Sequence, residues 1–566
     1  MNEKLVLDYN WDIDSNKKQQ PNSDNIIYKG YDALYSNILA CISIGDIMKS
    51  LLGPKSRDKL IVDQFDQVLI SNDGKIEHPA SKMMVELSMS MDEQNGDGTT
   101  SVIVLCTYLL RKSLRLLKGN GFNTKLNGIH PIQIVNGFLR TSKIVLDTIH
   151  NLSNRFIVDS EQGRDILLKV CQTTLNSKLV SHTCPILSNF SVELMMILFK
   201  SLKNQDNNNN NNNNNNDSQD DNINISTNNI NIIDFDGGFI ENSRVSKSFI
   251  IKSEFVNQFY QSTSPYKVVF LKLPQLIRPK EMQTISYQLN SNFNIETILL
   301  QEENKIKSLV VKLKKNGINL IAIEDDLSSF GNLLNLFVTF LNKAKISLLK
   351  PLSSTEFKRI SKLLRIPIIV DINQLTLKPQ TFQSISTEVL DNQHSIVLFQ
   401  DVSITSPSII LYGSTTVELE ESKRALHDSL CVLRNLIRSP IIVPGGGACE
   451  IEASIKIQEY LNTQKGISTV ESNIMLAYSE SLEEYVGTLC TNSGLDHLDI
   501  IHKLKQHHKS PLPDSYFYGI DLNTEKIQNM TQIGIIEPLS NKLSQISLST
   551  EILISILKID EIIFYK

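Results

Sequence analysis

Apolar residues recur every three to four positions from 34 to 52 (Leu34, Ile38, Cys41, Ile42, Met48, Leu52), the spacing of one buried helix face. Gly53-Pro54 ends that helix. Leu60-Ile61-Val62 and Val68-Leu69-Ile70 read as two short strands joined by a turn. Helical spacing dominates from about 81 to 152, and a second region begins near 153. From 268 to 370 the pattern alternates. Val268-Val269-Phe270-Leu271 predicts a strand, 295–315 a helix ended by Gly317, and 318–323 a strand. Then follow a helix over 327–341, a strand over 346–349, a helix over 356–364 and a strand over 366–370. That alternation predicts an α/β unit with a partly parallel sheet. After Ile409-Ile410-Leu411 the chain is mostly helical to 492, and a β-rich ending with one more helix closes on Glu561-Ile562-Ile563-Phe564-Tyr565. The order helical, α/β, helical lets the two ends form one domain with the α/β unit inserted between them.

Length and composition narrow this picture. At 566 residues the chain is too long for one core, and about three or four folding units are expected. Ten consecutive asparagines, 207–216, sit in an Asn/Asp-rich tract that reads as a solvated loop expansion running to about 231. Residues 1–28 read as loosely ordered, and neither a signal nor a transit peptide is evident at the start. The net charge of −5 carries no basic bias, so no nucleic-acid partner is expected. No apolar run nears the roughly 20 residues that span a bilayer, so no membrane partner is expected either. The seven cysteines include no Cys-x-x-Cys pair, which argues against zinc or a disulfide framework and for a reduced, cytoplasmic compartment.

Candidate chemistry begins at Gly96-Asp97-Gly98-Thr99-Thr100-Ser101, just before the apolar run Val102-Ile103-Val104-Leu105. Glycines permit close backbone approach, a helix start attracts anions, and the acid can hold Mg²⁺ against phosphate oxygens. The same six residues read equally well as a loop with a Ser/Thr cap. Leu52-Gly53-Pro54-Lys55 and Ser71-Asn72-Asp73-Gly74 could face a phosphate, although each alone is an ordinary turn. Gly445-Gly446-Gly447 allows close approach to a ligand or serves as a flexible hinge. Asp428 lies on a helix whose apolar stripe is Leu426, Leu430, Leu433 and Ile437, and sits off that stripe. A solvated surface carboxylate is the default there, and a base that orients a hydrolytic water is the functional alternative.

Together these segments resemble the group II chaperonins, the ATP-driven folding chambers of archaea and the eukaryotic cytosol. The resemblance runs in order from about 32 to 563 and adds His78-Pro79-Ala80, Gly128-Ile129-His130-Pro131, Leu175-Asn176-Ser177-Lys178, His427-Asp428, Ile535-Ile536-Glu537-Pro538 and Ile556-Leu557-Lys558-Ile559-Asp560. Within the family, Thr173-Thr174-Leu175-Asn176-Ser177-Lys178, Phe340-Leu341-Asn342-Lys343 and the residues 426–432 point to one subunit class of the eukaryotic cytosolic chaperonin.

The resemblance implies a multidomain α+β fold: a mostly α-helical equatorial domain, a small α/β intermediate domain, and an α/β apical domain with a helical protrusion. The implied boundaries are 1–28 disordered, 29–152 and 441–566 equatorial, 153–236 and 383–440 intermediate with an Asn-rich insertion at 204–231, and 237–382 apical. It also implies ATP and Mg²⁺ as cofactors. Asp97 would ligate the metal, and Gly98, Thr99, Thr100 and Ser101 would hold phosphates beside Gly53 and Pro54. Lys178 would lie near the phosphates, Gly446 against the nucleotide, and Glu537 on the ribose hydroxyls. Asp428 would orient the attacking water, with Asp73 assisting. The implied partners are paralogous subunits of a hetero-oligomeric double ring, and unfolded clients of the actin and tubulin type.

The sequence departs from the family at several points. Only Lys75, Ile76 and Glu77 separate Gly74 from His78. The family usually has about ten residues there, so roughly seven, two helical turns, are missing. Gln64-Phe65-Asp66-Gln67 replaces a glycine turn, Tyr412-Gly413 an Arg-Gly pair, and Asn529 the acid usual before Met530. The short segment after Gly74 keeps a second expectation open, a non-catalytic chaperonin-like assembly factor or structural subunit.

Overall fold

The computed structural model describes residues 26–55, 60–62, 68–70, 78–118, 128–178, 181–210, 226–260, 265–272, 295–324, 331–370, 379–391, 394–400, 406–464, 466–511 and 514–564. It is mostly helical with several small sheets, a multidomain α+β fold. Asp73, Gly74 and the shortened segment that follows lie outside the described residues, as does the turn 63–67.

The two ends of the chain share one core. Helix Thr99–Lys118 sits at its centre, with Val102, Val104, Leu105, Leu109 and Leu110 fully buried. Helices Tyr31–Met48, Pro79–Asn95, Thr469–Asn492 and Leu539–Leu557 pack around it. Burial on nearly every side explains why apolar residues in this helix exceed a simple amphipathic stripe. Strand Ile26–Lys29 pairs antiparallel with Glu561–Phe564 and ties the beginning of the chain to its end. The expectation of disorder to residue 28 is therefore corrected. Ile26, Ile27 and Tyr28 are held by ladder hydrogen bonds to a strand far away in sequence, which local polarity does not reveal. The expected hairpin forms between Leu60–Val62 and Val68–Ile70.

A second core joins helices Glu161–Leu175, Cys184–Asn210 and Thr416–Arg438 to the sheet Asn231–Asp236, Ser408–Gly413, Arg244–Ser246. Alternation is visible in the central strand, where Ile409 and Leu411 face this core and Ile410 faces the opposite side. Tyr412, in place of the family arginine, stacks on Phe235 at 5.8 Å. The Asn-rich insertion is narrower than the expected 204–231. Helix Cys184–Asn210 propagates into its first asparagines. Asn231 opens a strand, donating to the Ile250 carbonyl (2.6 Å) and accepting from Arg359 (2.7 Å), so its amide is satisfied in the interior. Residues 211–225 lie outside the described ones.

One window of that helix, Cys184–Lys203, is long and apolar enough to cross a bilayer by length and average composition. The average conceals Ser188, Asn189, Ser191 and Glu193. The helix instead buries Leu187, Leu194, Met195 and Leu198 against its two neighbours.

The inserted unit is built on a sheet ordered Ser347–Leu348, Leu320–Ile323, Tyr266–Leu271, Ile368–Ile369. All of these pairings are parallel, and Gln380–Phe382 joins Tyr266–Leu271 antiparallel. Val269, Leu271, Ile321 and Ile323 face helices Ile295–Lys315 and Gly331–Ala344. Val268, Phe270, Leu320 and Ala322 face helix Ser354–Leu363 and a second sheet, Phe249–Lys252 with Ser384–Asp391 and His394–Gln400. This packing moves both expected edges of the inserted unit. Arg244–Ser246 pairs into the second core, and the hairpin 384–400 packs on the inserted unit through Ile385, Val397 and Phe399. The order of elements does not reveal this, because both cores share the same stretch of β-rich sequence.

Candidate functional site

A cleft of about 670 Å³ opens where the first two cores meet. Every described candidate residue lines it: Gly53, Pro54, Asp97, Gly98, Thr99, Thr100, Ser101, Lys178, Asp428, Gly446 and Glu537. Asp73 is the one candidate outside the described residues.

The loop before helix Thr99–Lys118 is shaped by two glycines with positive φ, Gly96 (71°) and Gly98 (82°). Asp97 Oδ1 accepts from the Gly98 amide at 2.7 Å, and Val102 N–H closes the first helical turn on the Gly98 carbonyl at 3.0 Å. Thr99, Thr100 and Ser101, the first residues of the helix, line the cleft with the dipole behind them, which suits an anion. On the facing wall, Asn492 donates to the Lys49 and Leu52 carbonyls, both at 2.8 Å, and so fixes the turn at Gly53.

Lys178 comes from the turn after helix Glu161–Leu175, where its amide bonds the Leu175 carbonyl at 3.0 Å. Its ammonium meets Asp428 Oδ2 at 2.5 Å. Asp428 is only 5% exposed, which removes the surface-carboxylate reading. Its helix, Thr416–Arg438, buries Leu426, Leu430 and Leu433 in the second core and turns Asp428 toward the loop. Burial pushes the Asp428 carboxyl up to about 6; Lys178 opposes the rise, and Asp92 and Asp97 reinforce it. Burial works against the Lys178 charge, but Asp428, then Asp97 and Asp92, outweigh it and hold the ammonium above its ordinary value. Three carboxylates around one ammonium leave a local excess of negative charge that a divalent cation would neutralise.

The helix bearing Asp428 is seated on the loop itself. Arg434 and Asn435 donate to the Gln94 carbonyl at 2.9 and 3.0 Å, satisfying the C-terminal end of helix Pro79–Asn95. At Gly96 a Cβ would lie 2.4 Å from Cys431 Cβ and 3.0 Å from the Asp428 carbonyl oxygen. That glycine serves helix docking as well as loop shape. The triple glycine is likewise a packed turn and no hinge. A Cβ on Gly446 would meet Met530 Sδ at 2.6 Å and the Ile520 carbonyl at 2.8 Å, so its bareness accommodates protein on that side. Asn529, in place of the family acid, caps the following short helix by accepting from the Thr531 and Gln532 amides.

At the other end of the cleft, Glu537 sits on a strand paired with Val443. Lys542 lies 2.7 Å from Glu450 Oε1 and 3.2 Å from Glu537 Oε2. Asp92, Tyr485 and Lys542 line the cleft and were not singled out in the sequence. Asp92 occupies the last helical turn before Gly96, and Lys542 follows Glu537 by five positions; proximity to the motifs is the signal that points to them. Among the described residues no group of three or more His, Cys, Asp or Glu side chains forms a metal cage. A hard cation such as Mg²⁺ commonly binds through one or two carboxylates and substrate phosphates, and Asp97 is a carboxylate of the kind that would suit it.

Comparison with known proteins adds the lineage. The profile of the TCP-1/cpn60 chaperonin family matches residues 44–566. The chain is 29% identical over 540 residues to the rat T-complex protein 1 subunit delta, covering 94% of this chain and 93% of that one. It is 28% identical to the human delta subunit with the same coverage, and 28% identical to the thermosome subunit alpha of Saccharolobus solfataricus over 94% of this chain and 92% of that one. The delta subunit is the class that the segments 173–178, 340–343 and 426–432 resemble.

Proposed function

The chain belongs to the TCP-1/cpn60 chaperonin family, and on that premise we propose that it is an ATP-hydrolysing chaperone subunit. The observation that carries this reading is the meeting of Asp97, the start of helix Thr99–Lys118, Lys178 and Asp428 in one cleft. Amides and hydroxyls of residues 98–101 would bind the phosphates beside Gly53 and Pro54. Asp97 would hold Mg²⁺, which when bound neutralises phosphate charge in the transition state. Lys178 would exchange Asp428 for a phosphate oxygen and free the carboxylate to orient a water and accept its proton. Gly446 would border the nucleotide, and Glu537 would accept from the ribose hydroxyls. Asp73 would assist from the first core.

In this reading the first core is the equatorial domain, the second the intermediate domain and the inserted unit the apical domain. The carboxylate is delivered by a different domain from the one that binds phosphate, so hydrolysis couples to domain motion. The work done would be the folding of cytosolic clients, with actin and tubulin the expected type, inside a cytoplasmic double ring shared with paralogous subunits. The test is co-migration with a large ring after mild purification, followed by turnover of that ring with and without Asp428→Ala in this subunit. Absence from the ring would overturn the reading. The three residues between Gly74 and His78 favour a second reading, a structural subunit with impaired ATPase. Ring membership with turnover unaffected by Asp428→Ala would support it.

Two outcomes follow for the working enzyme. Asp428 acts as a carboxylate, and its acid form gains population as pH falls through about 6. The kcat/KM for ATP is therefore expected to be flat above about pH 7 and to fall about tenfold per unit well below 6, because this ratio reports the free enzyme's essential base. Steady-state rates from pH 5 to 8.5 check it. Asp97→Ala is expected to weaken Mg²⁺-ATP binding by about tenfold or more, with little change in binding of metal-free ATP. Titration calorimetry with and without a chelator separates the two.

A further inference from the structure

Glu537 does not face the cleft alone. Behind it, Lys542 is 4% exposed in the first turn of helix Leu539–Leu557, and Glu450 is 2% exposed in the first turn of helix Ala448–Thr463. Glu450 lies outside the cleft lining, whereas Lys542 and Glu537 are part of it. Lys542 bonds Glu450 at 2.7 Å and also reaches Glu537 Oε2 at 3.2 Å, while its ammonium lies 6.0 Å over the Tyr485 ring. Glu537 is 30% exposed, so one carboxylate of the three-membered set meets the cleft and the other is sealed away. Among the described residues, Glu450 Oε2 has no hydrogen-bond partner.

We propose that Lys542 is a positioning residue for sugar recognition: anchored by Glu450, it holds Glu537 as an oriented carboxylate at the cleft. The inference rests on the reading that Glu537 accepts from the ribose. A carboxylate can accept from two vicinal hydroxyls, whereas a carboxylic acid spends one oxygen as a donor. The groups facing Glu537 are Lys542, Glu450, Asp97 and, through Lys542, Tyr485. Burial pushes the Glu537 carboxyl above the usual carboxylate range; Lys542 opposes this, and Glu450 and Asp97 add to the rise. Lys542 is thus the one neighbour in that set that favours the form able to bind a diol.

The test is the affinity ratio of the full-length chain for ATP over 2′,3′-dideoxy-ATP, read by calorimetry across pH 5.5–9 in the wild type, Glu537→Gln, Lys542→Met and Glu450→Gln. Hydrogen bonds to a charged group support a wild-type preference of about tenfold or more. Glu537→Gln is expected to abolish it. Lys542→Met is expected to reduce it to about twofold near pH 7 and to recover it as pH rises, with dideoxy-ATP affinity unchanged. Glu450→Gln removes a competing negative charge, so the preference should persist to lower pH than in the wild type. A preference retained in Glu537→Gln overturns the ribose reading itself. A preference lost in Glu537→Gln but unchanged at every pH in Lys542→Met overturns the role of Lys542. If Lys542→Met does not fold, an unshifted pH profile in Glu450→Gln overturns it independently.

Discussion

Replacing Asp428 with Asn is expected to lower ATP turnover by about 10²- to 10⁴-fold, the range for loss of a positioned general base, with Mg²⁺-nucleotide binding held within about threefold. The amide keeps the shape of the side chain and its place beneath the helix, but it cannot take a proton from water. It also releases Lys178 from its 2.5 Å ion pair. The freed ammonium then favours the bound triphosphate, so affinity should hold or rise while hydrolysis fails. Rapid-quench measurement of the hydrolytic step beside equilibrium binding distinguishes this from a folding defect, which would reduce both. Equal loss of binding and turnover would mean that Asp428 only supports the cleft.

Gly96→Ala is expected to cost nearly as much turnover, about 10²-fold, through geometry alone. The backbone there has φ of 71°, which L side chains adopt at a cost. The new methyl would also stand 2.4 Å from Cys431 Cβ and 3.0 Å from the Asp428 carbonyl. Neither neighbour is the free end of a flexible chain, so the helix must lift. Lifting breaks the Arg434 and Asn435 bonds to the Gln94 carbonyl and withdraws Asp428 from the loop. The proposed phosphate-binding amides of residues 99–101 belong to the following helix and stay in place. Slow turnover with retained nucleotide affinity is the expected signature. Accelerated proteolysis between the two cores in the variant, relative to the wild type, would report the undocked helix.

Much of the arrangement is legible in the sequence because it is local. Helix 295–315 and its stop at Gly317, and the short alternating strands of the inserted unit, follow from period and punctuation. The collinear motifs are likewise readable in order, and every described candidate site residue they mark lines one cleft. What was not legible depends on contacts between distant segments. The strand Ile26–Lys29 exists because Glu561–Phe564 is beside it. Asn231 is buried because Arg359 and the Ile250 carbonyl meet its amide. Asp428 reads as a surface acid on its own helix and becomes buried only when that helix docks at Gly96. The purpose of Gly446 is similar: its missing side chain makes room for Met530 and Ile520 as well as bordering the cleft. Lys542 is not legible in the sequence because one lysine has no pattern until Glu450 and Glu537 are placed on either side of it.

The central claim is that a carboxylate from the second core completes a phosphate site in the first. The most direct measurement is an experimental structure of the full-length chain in its native assembly with Mg²⁺, ADP and aluminium fluoride, which mimics the transferring phosphoryl group. The account predicts nucleotide in this cleft, the fluoride complex on the amides of residues 98–101, metal on Asp97, and Asp428 parted from Lys178 and bonded to an in-line water. Nucleotide bound elsewhere, or bound here with Asp428 still paired to Lys178 and no water in line, would contradict it.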